Sequence, residues 1–166
     1  ILVSAADIQR LTDDGLFKRD PVFVHGGTEI VYSVQQKSTL MVLYRLRLSD
    51  GHIERLHPQA ILPEFNPSFS ANGQSYVFIQ SRGNDNLTVV YRQHGQPTEK
   101  LVGSPAWGAA IRPDGSQIVY SRTNQGGKQL VSIRLDGTDS KYLTATQGFN
   151  TDAAFSADGG HIAFSS

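Results

Sequence analysis

FSANGQSYVFIQ (residues 69–80), IRPDGSQIVYSR (111–122) and FSADGGHIAFSS (155–166) are three copies of one phrase, and FVHGGTEIVYSV (23–34) is a looser fourth. Each begins on an apolar anchor: Phe23, Phe69, Ile111 or Phe155. A turn dipeptide follows, as Gly26-Gly27, Asn72-Gly73, Asp114-Gly115 and Asp158-Gly159, its second glycines spaced 46, 42 and 44 residues apart. Three residues beyond come Ile30, Tyr76, Ile118 and Ile162, and two further on Tyr32, Phe78, Tyr120 and Phe164. Apolar side chains two apart share one face of a strand. The phrase therefore reads as two strands joined by a tight hairpin, whose turn needs the positive φ that Gly, Asn and Asp tolerate.

Two further landmarks recur in the same order. One is a second turn, at Asp50-Gly51, His94-Gly95 and Asp136-Gly137, after apolar strands over 41–48, 88–92 and 129–135. The other is a leucine closing a short strand: Leu11, Leu56, Leu101 and Leu143. Each unit is thus four short antiparallel strands, a to d, in about 44 residues, the sequence sign of a propeller blade. One small sheet cannot cover both its faces, so such units stack around an axis. A β-sandwich would carry similar turns but gives no reason for three landmarks to recur together.

The fold expected is all-β, a β-propeller of four-stranded antiparallel blades. It comprises a half blade at 1–12, blades at 20–57, 66–101 and 107–143, and a half blade at 150–166. Residues 1–3 end a strand c, and 7–12 form a strand d. This is about four blades' worth of chain in a single propeller region. Two arrangements account for the half blades: they close a four-bladed ring, or the chain is a fragment of a six- to eight-bladed one. The chain begins at Ile1, as a processed protein or a segment of a longer one would.

Composition narrows the function. Lys plus Arg and Asp plus Glu are both 15, so the net charge is zero. A general polyanion binder would carry a basic surplus, and no nucleic-acid partner is expected. There is no cysteine, which excludes disulfides, thiolate metal sites and a cysteine nucleophile. No apolar run reaches the ~20 residues of a membrane span, so direct membrane insertion is not expected.

The phrases FSANGQSYVFIQSRGNDNLTVVYRQHG, IRPDGSQIVYSRTNQGGKQLVSIRLDG and FSADGGHIAFSS resemble the WD40-like PD40 repeat of the TolB-like family. The likeness is close over 66–166 and looser over 20–57, where His25-Gly26-Gly27 replaces the usual Pro-Asp-Gly. Residues 1–12 match by register only. The resemblance implies a periplasmic or extracytoplasmic bacterial propeller. Within the family it implies several roles: binding an envelope lipoprotein, the gating propeller of prolyl-oligopeptidase-type or tricorn-like serine peptidases, the sensor domain of a membrane regulator, or a sugar-acid lyase.

Catalytic signals are weak. No G-x-S-x-G occurs, and in Gly103-Ser104-Pro105 the residue after the serine has no N–H to offer an oxyanion. His25, His94 and His161 sit beside hairpin turns, His52 and His57 stand apart, and none makes an H-E-x-x-H pair. The Asp-Gly pairs lack the alternating ligands and closing glutamate of a calcium loop. No cofactor, metal or catalytic residue is therefore assigned, and the reading is a non-catalytic scaffold that binds a protein or peptide.

A propeller presents partners with the loops at the ends of its axis. The d–a loops, read at 13–20, 58–66, 102–107 and 145–152, each carry an aromatic: Phe17, Phe65, Trp107 and Phe149. The b–c loops on the same face carry Arg82 with Asp85, and Arg122. These residues, with Lys18 and Arg19, are the candidate partner contacts. Aromatics beside Arg suit a protein interface, although aromatics at repeated positions also serve as wedges between blades.

Overall fold

The computed structural model describes residues 9–83, 86–96, 98–125, 127–145 and 148–166. The first sheet runs β1 (Lys18–Val24), β2 (Glu29–Lys37), β3 (Leu40–Arg47), β4 (Ile53–Arg55); the second runs β5 (Glu64–Phe69), β6 (Ser75–Ser81), β7 (Leu87–Gln93), β8 (Glu99–Gly103). The third runs β9 (Ala106–Ile111), β10 (Gln117–Asn124), β11 (Gly127–Arg134), β12 (Lys141–Tyr142), with the short β13 (Gly148–Phe149) parallel to β11. A hairpin of β14 (Thr151–Phe155) and β15 (Ile162–Ser165) follows. In each four-stranded sheet chain order equals spatial order and all neighbours are antiparallel, which is the up-and-down meander of a propeller blade. No helix among the described residues is long and apolar enough to cross a membrane.

The turns form for the reason their sequences suggest. Gly73, Gly115 and Gly159 have φ near +70°. The preceding side chain completes each turn: Asn72, Asp114 and Asp158 accept the N–H of Gln74, Ser116 and Gly160 at 2.9–3.0 Å. Asp50 and Asp136 do the same for His52 and Thr138. Where the motif is looser, His25–Gly27 makes a short 3-10 turn with His25 itself at positive φ.

Two apolar layers join the sheets. Val24, Val31 and Leu43 of the first meet Tyr76, Phe78 and Val90 of the second. Val77, Ile79, Val89 and Val102 on the other face of the second meet Ile111, Ile118, Tyr120, Val131 and Ile133 of the third. The second sheet is thereby covered on both faces, as face-to-face stacking requires. Packing is tight at Gly103, where a Cβ would stand 2.7 Å from the Tyr120 ring. β14 lies against β9 and β10, continuing the stack.

Four expectations are corrected. Residues 9–12 form no strand. Leu11 instead lines a hollow with Ile30, Tyr32 and Leu46, finding apolar contact on the first sheet without a ladder partner among the described residues. Residues 1–8 lie outside the described residues. Phe23 is no buried anchor but 72% exposed, because no described element covers its side of β1; the equivalent Phe69 and Ile111 pack against the sheet before them. The aromatics expected in d–a loops sit on strands: Phe65 on β5, Trp107 on β9 and Phe149 on β13, and only Phe17 precedes its strand. Arg122, expected in a b–c loop, lies within β10, because the β10–β11 ladder runs unbroken out to Asn124 and Gly127.

Candidate functional site

Each inner strand contains one residue in the left-handed region: Asp20 (φ 52°), Asn66 (54°), Gly108 (60°) and Asp152 (55°). They repeat at the hairpin spacing, and each coincides with a break in register against the neighbouring strand. A bulge of this kind re-aims the side chains around it. Asp and Asn tolerate αL better than other side chains, and glycine is free to adopt it.

The bulges also link one sheet to the next. Asp20 Oδ2 accepts the Asn66 N–H (3.1 Å), the Ser33 hydroxyl (3.3 Å) and Arg19 Nε (2.9 Å). Asn66 Oδ1 in turn accepts the Ala109 N–H (2.9 Å). The residue of β5 equivalent to Ala109 is Pro67, which has no N–H, so Asp20 takes the N–H of Asn66 itself.

Before three of the bulges, near the start of the strand, stand Arg19, Phe65 and Trp107, and a cationic–aromatic arrangement results. The Arg19 guanidinium lies over Phe65, 5.9 Å from its centroid. Phe65 also packs against the core between the second and third sheets. Lys128 Nζ stands 3.7 Å from the Trp107 ring centroid and 5.7 Å from that of Phe149. Trp107 is 44% exposed and Phe149 66%. Their placement is fixed from beneath: the Asn150 N–H and Nδ2 both donate to the Lys128 carbonyl (2.9 and 3.2 Å), and Nδ2 reaches the buried Gln129 Oε1. Thr144 donates to the same Gln129 oxygen at 2.7 Å. Two exposed rings and an ammonium are thus held on a hydrogen-bonded base, and such a cation–π contact is worth ~0.5–1 kcal/mol at an exposed site.

The other candidates divide. Exposed Phe17 is tied to the first sheet by its carbonyl, which accepts the Gln35 N–H at 3.0 Å. Lys18 pairs with Asp14. Arg82 is joined to Glu99 at 2.7 Å. Arg122 neighbours the Tyr120 phenol, whose pKa burial raises. Asp85 lies outside the described residues. The structure thus assembles Trp107 with Phe149, and Arg19 with Phe65; it gives Lys18 and Arg82 acidic partners of their own.

Sequence reasoning missed Lys128, whose approach to Phe149 depends on the parallel β11–β13 pairing, for which no local pattern exists. It also missed His57. His57 Nδ1 and Glu64 Oε2 are 2.7 Å apart, and His57 Nε2 and the Tyr76 hydroxyl 2.9 Å. All three side chains are buried. Glu64 accepts only, so Nδ1 donates to it; burial raises the Tyr76 pKa, keeping that hydroxyl protonated. The Ser104 hydroxyl donates to Asn86 Oδ1, an amide that cannot take a proton from it. Among the described residues no cluster of three or more His, Cys, Asp or Glu is arranged to hold a metal.

No family model matches this sequence. Solved structures do. TolB from Acinetobacter baumannii superposes with a TM-score of 0.78 at 24% identity, over 93% of this chain and 39% of that one. A putative TolB from Agrobacterium tumefaciens superposes at 0.77 with 18% identity, over 87% of this chain and 52% of that one. A puromycin-hydrolyzing peptidase of Mycobacterium tuberculosis is similar more distantly, at 0.64 and 17% identity, over 80% of this chain and 22% of that one. The chain therefore spans about two fifths to one half of the TolB structures it matches. With its meander sheets stacked face to face and its likeness to two TolB structures, this chain is in fold a TolB-like β-propeller.

Proposed function

We propose that this chain is a protein-binding propeller module of the bacterial cell envelope, working outside the cytoplasm and without catalysis of its own. The observation that carries the reading is the Trp107–Lys128–Phe149 cluster. Large exposed aromatics cost nothing in isolation, but a propeller that used its aromatics only as wedges would bury them. Here two rings are held open to solvent on either side of Lys128, and exposed aromatics are the side chains that protein interfaces concentrate at their centres. Arg19 over Phe65 and exposed Phe17 extend the same chemistry. The likeness to TolB structures supports an envelope setting. Arg82 and Arg122 are counted as peripheral contacts of this surface.

A second reading is favoured by the likeness to the peptidase: the chain is a propeller domain that accompanies a hydrolase and gates its substrates. One experiment tests the binding reading. The purified chain is immobilised, challenged with detergent-solubilised bacterial envelope, and assayed in parallel for hydrolysis of peptide and ester substrates. On the binding reading a retained protein is lost when Trp107 and Phe149 are both changed to Ala, and no substrate turns over. Turnover that disappears in Ser104→Ala would overturn it.

A further inference from the structure

The third sheet separates its charges by end. Its acids lie at one end, in the β9–β10 and β11–β12 turns, and each has a partner there. Asp114 is 3.6 Å from Arg112, Asp139 is 2.9 Å from Lys141, and Asp136 accepts the Thr138 N–H and hydroxyl. The rim end, beside Trp107, holds Arg122 and Lys128 and no acid of this sheet.

Arg122 stands opposite Gln129, and Lys128 opposite Thr123, near the rim end of the β10–β11 ladder. Successive residues of a strand face opposite ways, so the two cations flank the end of the sheet, one toward each face. Neither forms an ion pair among the described residues. Asp152, on β14 just beyond Phe149, accepts the Thr151 hydroxyl at 2.9 Å and pairs with neither. Lys128 carries three N–H donors and meets ring faces with them, 3.7 Å from the Trp107 centroid. Arg122 lies against the Tyr120 phenol, which burial keeps protonated and therefore neutral. Elsewhere on this rim Lys18, Arg19 and Arg82 have Asp14, Asp20 and Glu99.

We propose that the protein partner of this rim docks an acidic segment here, with carboxylates on Lys128 and Arg122 and an apolar side chain between them on the Trp107 and Phe149 rings. The inference rests on the protein-binding reading of the rim and adds the partner's chemistry to it. Charge complementarity selects the occupant. A basic segment would be repelled by both cations, and a neutral one would desolvate them without a counter-charge. An anionic lipid surface fits less well, since the basic surfaces that read such lipids gather ~4–8 Lys or Arg, and the neighbouring cations here are already neutralised.

Trp107 is the one tryptophan of the chain, so its emission reports on this rim. The intact chain is titrated with the peptide N-acetyl-Glu-Leu-Phe-Glu-amide, with its Gln-Leu-Phe-Gln counterpart, and with phosphatidylglycerol vesicles. A saturable change in Trp107 emission is expected with the acidic peptide. The neutral peptide should bind roughly fivefold more weakly, as the loss of two exposed charge pairs implies. Binding of the acidic peptide should weaken severalfold as salt rises from ~0.05 to ~0.5 M. The double variant Arg122→Gln/Lys128→Gln, its fold checked by melting temperature, should bind the two peptides equally. The proposal is overturned by no saturable change with the acidic peptide, by equal binding of both peptides to the wild type, or by a double variant that still prefers the acidic one. Emission that responds to the vesicles and not to the acidic peptide overturns it too. Retention of an envelope protein that depends on Trp107 and Phe149 decides the rim reading separately.

Discussion

Asn66 shows how much one residue carries in this fold. It occupies the left-handed region at φ 54° and joins two sheets through its amide oxygen on the Ala109 N–H. Asn66→Ala loses the bond and puts a Cβ without compensation into αL, a conformation costing ~1–2 kcal/mol for ordinary residues. With the unpaired N–H added, a loss of about 2 kcal/mol is expected in urea unfolding. Asn66→Gly keeps the conformation and should lose less. His57 carries more, for a different reason. Glu64 is 1% exposed, and His57 is its principal donor. His57→Ala would strand a buried carboxylate, and breaking such a pair costs ~3–5 kcal/mol. A midpoint unchanged in His57→Ala would show that the pair contributes nothing. Little of this was legible in the sequence. The spacing of Asp20, Asn66, Gly108 and Asp152 is visible there, but only φ distinguishes a bulge from a strand residue. His57 and Glu64 meet because the linker between them folds back over Tyr76, which no local pattern announces.

Hairpins were the most legible elements, because a turn's chemistry lies within four consecutive residues. Asp114, Asp136 and Asp158 have carboxyls held below the usual range, chiefly by hydroxyl donation from Ser116, Thr138 and Ser156 and then by backbone N–H groups. A carboxyl whose pKa is lower folded than unfolded stabilises the fold at neutral pH, and that contribution fades as pH falls through the folded-state value. Thermal melting should therefore drop on acidification below about pH 4, and drop less in a variant with all three Asp changed to Asn. The turn at Asn72 already works with an amide, so those changes preserve geometry. Gly103 is sensitive at the same scale. Its Cβ position is 2.7 Å from the Tyr120 ring, so Gly103→Ala overpacks the second sheet against the third, and ~1–3 kcal/mol should be lost in denaturant unfolding. The less legible elements were those decided by neighbours. Phe23 has the same sequence role as Phe69 and a different burial, because burial depends on which sheet lies alongside. Residues 9–12 carry the leucine landmark without its strand, since pairing is a property of two segments.

For the molecule as a whole, repetition made the architecture readable: three landmarks in fixed order imply one unit, and one unit with two apolar faces implies stacking. The partner-binding rim was readable only in part. Trp107 and Phe149 could be picked as the aromatics of successive d–a segments, but the lysine between them is supplied by β11 and arrives through tertiary pairing. The central claim is that this rim takes a protein partner. It is tested most directly by retention of envelope proteins on the immobilised chain, comparing wild type, the Trp107→Ala/Phe149→Ala double variant, and a variant of the distant β11–β12 turn such as Thr138→Ala. The account expects one retained protein, bound equally by wild type and Thr138→Ala and reduced at least about tenfold in the double variant, as the loss of two interface aromatics implies. Equal retention by the double variant, or loss in Thr138→Ala alone, would contradict it.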